Sequence, residues 1–202
     1  GPCYGEWYGS SIRPVLHHAG LIRSEDLRNK DMVDANEEIV KRYFELKGYF
    51  VMTDVKYFKS KEWTGKKSSG YGDIDLIVIN PTTGDKAVVA VSGWHTERIT
   101  PSYVRDWGWR LFSFLDEDAV EKATQVLGTR NFRKILIVSQ LGAKEDSREK
   151  FLEEARKRGI DEVLEFPQIL KELINMVEVK PSYDSEALQT IRLLKKYGFL
   201  KT

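Results

Sequence analysis

The chain has a single cysteine, Cys3, which excludes an internal disulfide framework and a cysteine-built zinc site. No apolar run approaches the roughly 18 residues that a membrane-spanning helix requires. The opening, Gly1-Pro2-Cys3-Tyr4-Gly5, lacks both the basic and the apolar segments of a secretory signal, so the cytosol is the expected compartment. It also lacks an initiator methionine, and Gly1-Pro2 reads as the remnant of a cleaved tag. Neither sign of charge dominates, with 32 Lys and Arg against 31 Asp and Glu. A nucleic-acid binder of this composition must rely on a local basic patch, because bulk charge supplies no attraction. Asn and Gln are few beside a charged fraction of 31%, a pattern of heat-adapted chains. What remains is ample for one globular domain: 202 residues, of which 41% are hydrophobic.

Periodicity divides the chain. Residues 1–32 show no clean period and read as an N-terminal extension, partly tag-derived. From Asp34 onward Ile39, Val40, Tyr43, Phe44 and Leu46 recur at helical spacing, and Gly48 is placed to stop that helix. Tyr49 to Met52 reads as a strand that runs into a lysine-rich loop, Lys59 to Ser69. Asp75 to Ile79 is a strand, Asn80 to Asp85 a turn, and Ala87 to Ser92 the returning strand of a hairpin. Thr100-Pro101 opens a helix that breaks near Asp116 and ends at Gly128. A buried strand (Lys134 to Ser139), a helix (Lys144 to Arg158), a short strand (Val163 to Phe166) and two last helices complete the order.

The order α-β-β-β-α-β, with an acidic residue entering the second strand, resembles the PD-(D/E)xK nuclease superfamily. Its members include archaeal Holliday-junction resolvases, Mrr-type restriction enzymes and RecB-like nucleases. The likeness rests on Gly70-Tyr71-Gly72-Asp73-Ile74-Asp75-Leu76-Ile77-Val78 and covers roughly residues 34–140. It implies an α/β fold with a restriction endonuclease-like core over 33–167, a mixed sheet flanked by helices. Residues 168–202 form a C-terminal helical extension. It further implies a metal-dependent DNA endonuclease, a hydrolase of DNA repair or restriction, that uses Mg²⁺ or Mn²⁺ and often acts as a homodimer.

In this pattern Asp75 takes the place of the motif aspartate. The third strand departs from it: Ala90 stands where Glu is expected and Ser92 where Lys is expected. Positions 90 and 92 share a strand face, and with Asp75 on the neighbouring strand they are expected to converge on one concavity facing the first helix. Two carboxylates there would hold Mg²⁺, stabilise charge on a scissile phosphate and activate a water, which a lysine would position. Ala90 removes a ligand and Ser92 removes the cation, so this chain is expected to be inactive or nearly so. The replacements are either engineered or natural. In the second case the protein is a pseudo-nuclease, a non-catalytic nucleic-acid-binding or scaffolding module.

Further candidates follow from position. On the first helix Glu37 flanks the apolar face whereas Glu38 lies almost opposite it, so Glu37 is the better third metal-site carboxylate. The alternative is an ordinary first-turn acid favoured by the helix dipole. Asp73, two residues from Asp75, is a second possible ligand, or else a loop-edge acid. His95 follows the third strand and could meet a phosphate or a metal. Lys59, Lys61, Lys66 and Lys67, with Trp63 among them, form the best basic patch for DNA. Trp107 and Trp109 are expected to pack their helix against the sheet.

Overall fold

The computed structural model describes residues 34–60, 70–92, 95 and 98–201. The chain divides between Val33 and Asp34 into two units, and every element below belongs to the second. In order these are α1 (Ala35–Leu46), β1 (Phe50–Lys59), β2 (Gly70–Ile79), β3 (Lys86–Ser92), α2 (Pro101–Leu111), a 3₁₀ turn (Ser113–Leu115) and α3 (Glu117–Leu127). Then come β4 (Arg133–Val138), α4 (Glu145–Lys157), β5 (Glu162–Glu165), α5 (Phe166–Met176) and α6 (Glu186–Lys196). The protein is therefore α/β, with a five-stranded mixed open sheet in the order β1-β2-β3-β4-β5. The first three strands form an antiparallel meander, and β3, β4 and β5 run parallel.

Local chemistry sets the boundaries. Asp34 caps α1 by accepting from the Asn36 N–H at 2.8 Å. Gly48, at φ 91°, ends the helix while the Tyr49 N–H returns to the Phe44 carbonyl. The β2–β3 turn is organised by Asn80, whose side-chain oxygen accepts from the N–H groups of Thr82 and Thr83. Beside it Arg133 of β4 grips Asp85 at 2.6 Å and Glu162 at 2.7 Å, and Tyr49 also donates to Asp85. This network fastens one end of the sheet.

Helices cover both faces. On one, α1 and α5 contribute Val40, Tyr43, Phe44, Ile169 and Leu173 against Leu76, Val78, Ala87, Val89, Ile135 and Ile137. On the other, Leu111, Ala119, Ala123, Phe151 and Ala155 of α2, α3 and α4 pack on Ile77, Val88, Ala90, Leu136 and Val138. The two C-terminal helices close the first layer: Val177 is fully buried and Leu188 of α6 nearly so. Among the described residues no helix is long and apolar enough to cross a membrane.

Two features break the regular pattern. The β1–β2 hairpin is much longer than the Tyr49–Met52 and Asp75–Ile79 spans expected, with ten residues in each strand. It also changes face midway. Leu76 lies with the α1 layer while Ile74, of the same strand parity, lies with the other layer. Opposite the break, Asp54 adopts φ 51°, rare for a residue other than glycine. Register is preserved across it, from Thr53–Leu76 to Val55–Ile74, so the break is a twist and not an insertion.

Candidate functional site

The β2–β3 ladder runs from Ile79–Lys86 to Leu76–Val89 and ends there. Beyond that pair the strands part, and Asp75 fills the gap. Its Oδ2 accepts from the Val91 N–H at 2.7 Å, standing in for a carbonyl that β2 would otherwise supply. Glu37, in the first turn of α1, comes side chain to side chain with Asp75. The site lies at the carboxyl end of β3, the first of three parallel strands, where open α/β sheets commonly hold ligands.

Burial and like charge govern this pair. Burial pushes the Glu37 carboxyl up to about 8, helped by the negative charges of Asp75, Asp34 and Asp54. Burial likewise lifts Asp75 to about 6, against the Val91 N–H, which favours its ionised form. At neutral pH the pair thus shares one proton, and the two carboxyls titrate as a unit. Asp34 and Asp54 were not among the expected site residues, since a helix cap and a strand acid each have ordinary local reasons to be there.

Asp75 and Glu37 are brought together, but Ala90 and Ser92 do not join them on the face of α1. Ala90 packs with Val88, Leu136 and Val138 in the opposite layer, whereas Val89 and Val91 face α1. Half-buried Ser92 follows Ala90 by strand alternation. The expectation of one concavity assumed regular parity across the hairpin, and the twist at Asp54 and Asp75 removes it.

The other candidates occupy varied places. Asp73 is held by Lys56 at 3.1 Å on the exposed face of the hairpin. The Lys59 ammonium stands 5.7 Å from the Tyr57 ring centre, and Lys61, Lys66 and Lys67 fall outside the described residues. His95, at φ 55°, bonds through Nε2 to Asn36 Oδ1 at 3.0 Å and sets its ring edge-to-face with Phe166. It therefore lies at the amino end of α1, beside the residue that precedes Glu37. Trp107 and Trp109 do not pack α2 against the sheet. They are exposed, and Gly108 and Leu111 are the buried residues of that helix.

Among the described residues no three His, Cys, Asp or Glu side chains are grouped to hold a metal ion. Two close carboxylates nevertheless suit Mg²⁺, which keeps several waters and takes one or two carboxylates together with substrate phosphates. Asp75 and Glu37 would hold it, the cation replacing their shared proton. Compared with known proteins, the chain matches no family model, no curated protein and no solved structure.

Proposed function

We propose that this chain is a restriction endonuclease-like domain of the PD-(D/E)xK type. It acts on DNA in the cytosol, and its metal-dependent phosphodiester hydrolysis is disabled at positions 90 and 92. The observation that carries this reading is the meeting of Asp75 and Glu37 where β2 and β3 part, within an α-β-β-β-α-β order. A bound Mg²⁺ or Mn²⁺ would supply charge neutralisation at a phosphate and an activated water. The chain's own groups divide the remaining tasks. Asp75 is fixed by the Val91 N–H, and Glu37 gives up its proton to complete the anionic pair. His95, which bonds through Nε2 to Asn36 Oδ1, stands at the amino end of α1 where a phosphate would approach, and the lysines from Lys59 onward meet the DNA backbone.

One observation favours a second reading, that of a non-catalytic nucleic-acid-binding or scaffolding module. Ala90 is packed into a hydrophobic layer, and neither it nor Ser92 lines the carboxylate pair. The first reading requires DNA binding, and a scaffold does not. Fluorescence anisotropy with duplex and branched DNA, over a series of salt concentrations, should show affinity that weakens as salt rises. No binding to either DNA at low salt would refute the nuclease reading and leave a scaffold in its place.

A further inference from the structure

The outer half of the β1–β2 hairpin presents two unlike faces. Val55, Tyr57 and Ile74 turn inward, and the buried Tyr57 ring covers Gly72. The opposite face carries two cross-strand pairs in line, Lys56 with Asp73 and Phe58 with Tyr71, and Asp75 follows Asp73 on the same side of β2. Phe58 and Tyr71 are 55% and 71% exposed, and their rings meet edge-to-face at 5.7 Å. Apart from this mutual contact, the two rings turn most of their surface to solvent.

We propose that Phe58 and Tyr71 form a stacking platform for unpaired bases, making single-stranded or frayed DNA the preferred ligand of the Asp75–Glu37 site. This deepens the DNA reading above and rests on it. Geometry supplies the first argument. Tyr71 and Asp75 lie four residues apart on one strand, about 13 Å at the usual rise. That is roughly four stacked nucleotides along one DNA strand, so a base held on the platform would leave its neighbours running past Lys56 to the carboxylates. Chemistry supplies the second. Among the described residues, the aromatic pair is flanked on this face by the paired polar side chains of Lys56 and Asp73. A mixed surface of this kind suits a base, whose face stacks while its backbone stays in water, better than a dry protein interface. Duplex DNA keeps its base faces occupied and would gain nothing from the platform.

The test uses the full chain with a fluorescent oligonucleotide, single-stranded and in duplex with its complement. Phe58→Ala with Tyr71→Ala should weaken single-strand binding about 5- to 150-fold, the range for loss of base–aromatic stacking, and leave duplex binding unchanged. Tyr71→Phe, which keeps the ring, should retain near-original affinity. Because both side chains are exposed, circular dichroism should show the variants folded. Equal losses for both DNA forms, or no loss for either, would overturn the platform while leaving the DNA reading intact. A loss of self-association in sedimentation, with DNA binding unaltered, would overturn it in favour of an interface between copies of the chain. Failure of the unaltered chain to bind any DNA would overturn both the platform and the reading beneath it.

Discussion

Replacing Glu37 by glutamine should change how stability depends on pH. In the fold the Glu37 carboxyl is raised from 4.5 to about 8 and the Asp75 carboxyl from 3.8 to about 6. Both lie above their unfolded values, so the native chain holds protons that the unfolded chain has released. Their contribution is whole below the unfolded values and is lost as pH rises through the folded ones, so stability falls with increasing pH. One extra proton corresponds to a ceiling of ~1.4 kcal/mol per pH unit. Glu37 is only half-buried, and solvent screening reduces this to about 0.7 per unit, or roughly 2 kcal/mol between about pH 5 and pH 8. The glutamine of Glu37→Gln would keep an N–H donor toward Asp75 but could not ionise. The variant should therefore lose most of the slope above about pH 6, where Asp75 is already charged, and become the more stable protein near pH 8. Urea denaturation in metal-free buffer at several pH values would measure both curves. A wild-type stability that is flat or rises over this range, or a variant that parallels it, would refute the shared proton.

Two further changes probe the hairpin. A Cβ built on Gly72 would stand 2.5 Å from the Tyr57 ring and from Lys59 Cε, and Tyr57 is buried. Gly72→Ala should therefore cost about 1–3 kcal/mol in thermal or chemical denaturation, and unchanged stability would show that the ring moves aside freely. Replacing Lys61, Lys66 and Lys67 by alanine should weaken DNA binding and flatten its salt dependence by up to about 0.9 for each phosphate no longer engaged. An unchanged slope would assign those lysines to solvent alone.

Much of the fold was legible from the residues. The apolar runs at 75–79, 87–92 and 134–139 lie in β2, β3 and β4, apart from Ser139 just beyond β4, and the break at Asp116 separates the 3₁₀ turn from α3. The resemblance pointed to a carboxylate on the first helix, and helical geometry singled out Glu37, beside the buried face, over Glu38. The outer half of β1 was not legible, because it alternates inward Val55 and Tyr57 with outward Asp54, Lys56 and Phe58, and outward charge resembles a loop. The twist at Asp54 left no local signal, and it is what separates Asp75 from Ala90. The tryptophans of α2 misled through size: Gly108, the smallest residue of that helix, is one of the two turned inward. α5 resembled an appendage because its packing partners, on α1 and β4, are distant in sequence.

The most direct measurement restores both missing groups and looks for chemistry. Ala90→Glu with Ser92→Lys should recover Mg²⁺- or Mn²⁺-dependent cleavage of linear or branched DNA. Ala90 lies in the layer opposite Glu37, so recovery requires the longer side chain at position 90 to reach Asp75 past the point where β2 and β3 part. Each single change should do little and the pair far more than their sum, because the groups act together. EDTA and an added Asp75→Ala should each abolish the cleavage, and circular dichroism must show that a charged pair beside the Val88–Leu136 layer leaves the chain folded. Metal-dependent cutting by the double variant is the expected result. A folded double variant that binds DNA and metal yet leaves every substrate intact would contradict the disabled-nuclease reading and leave the non-catalytic module in its place.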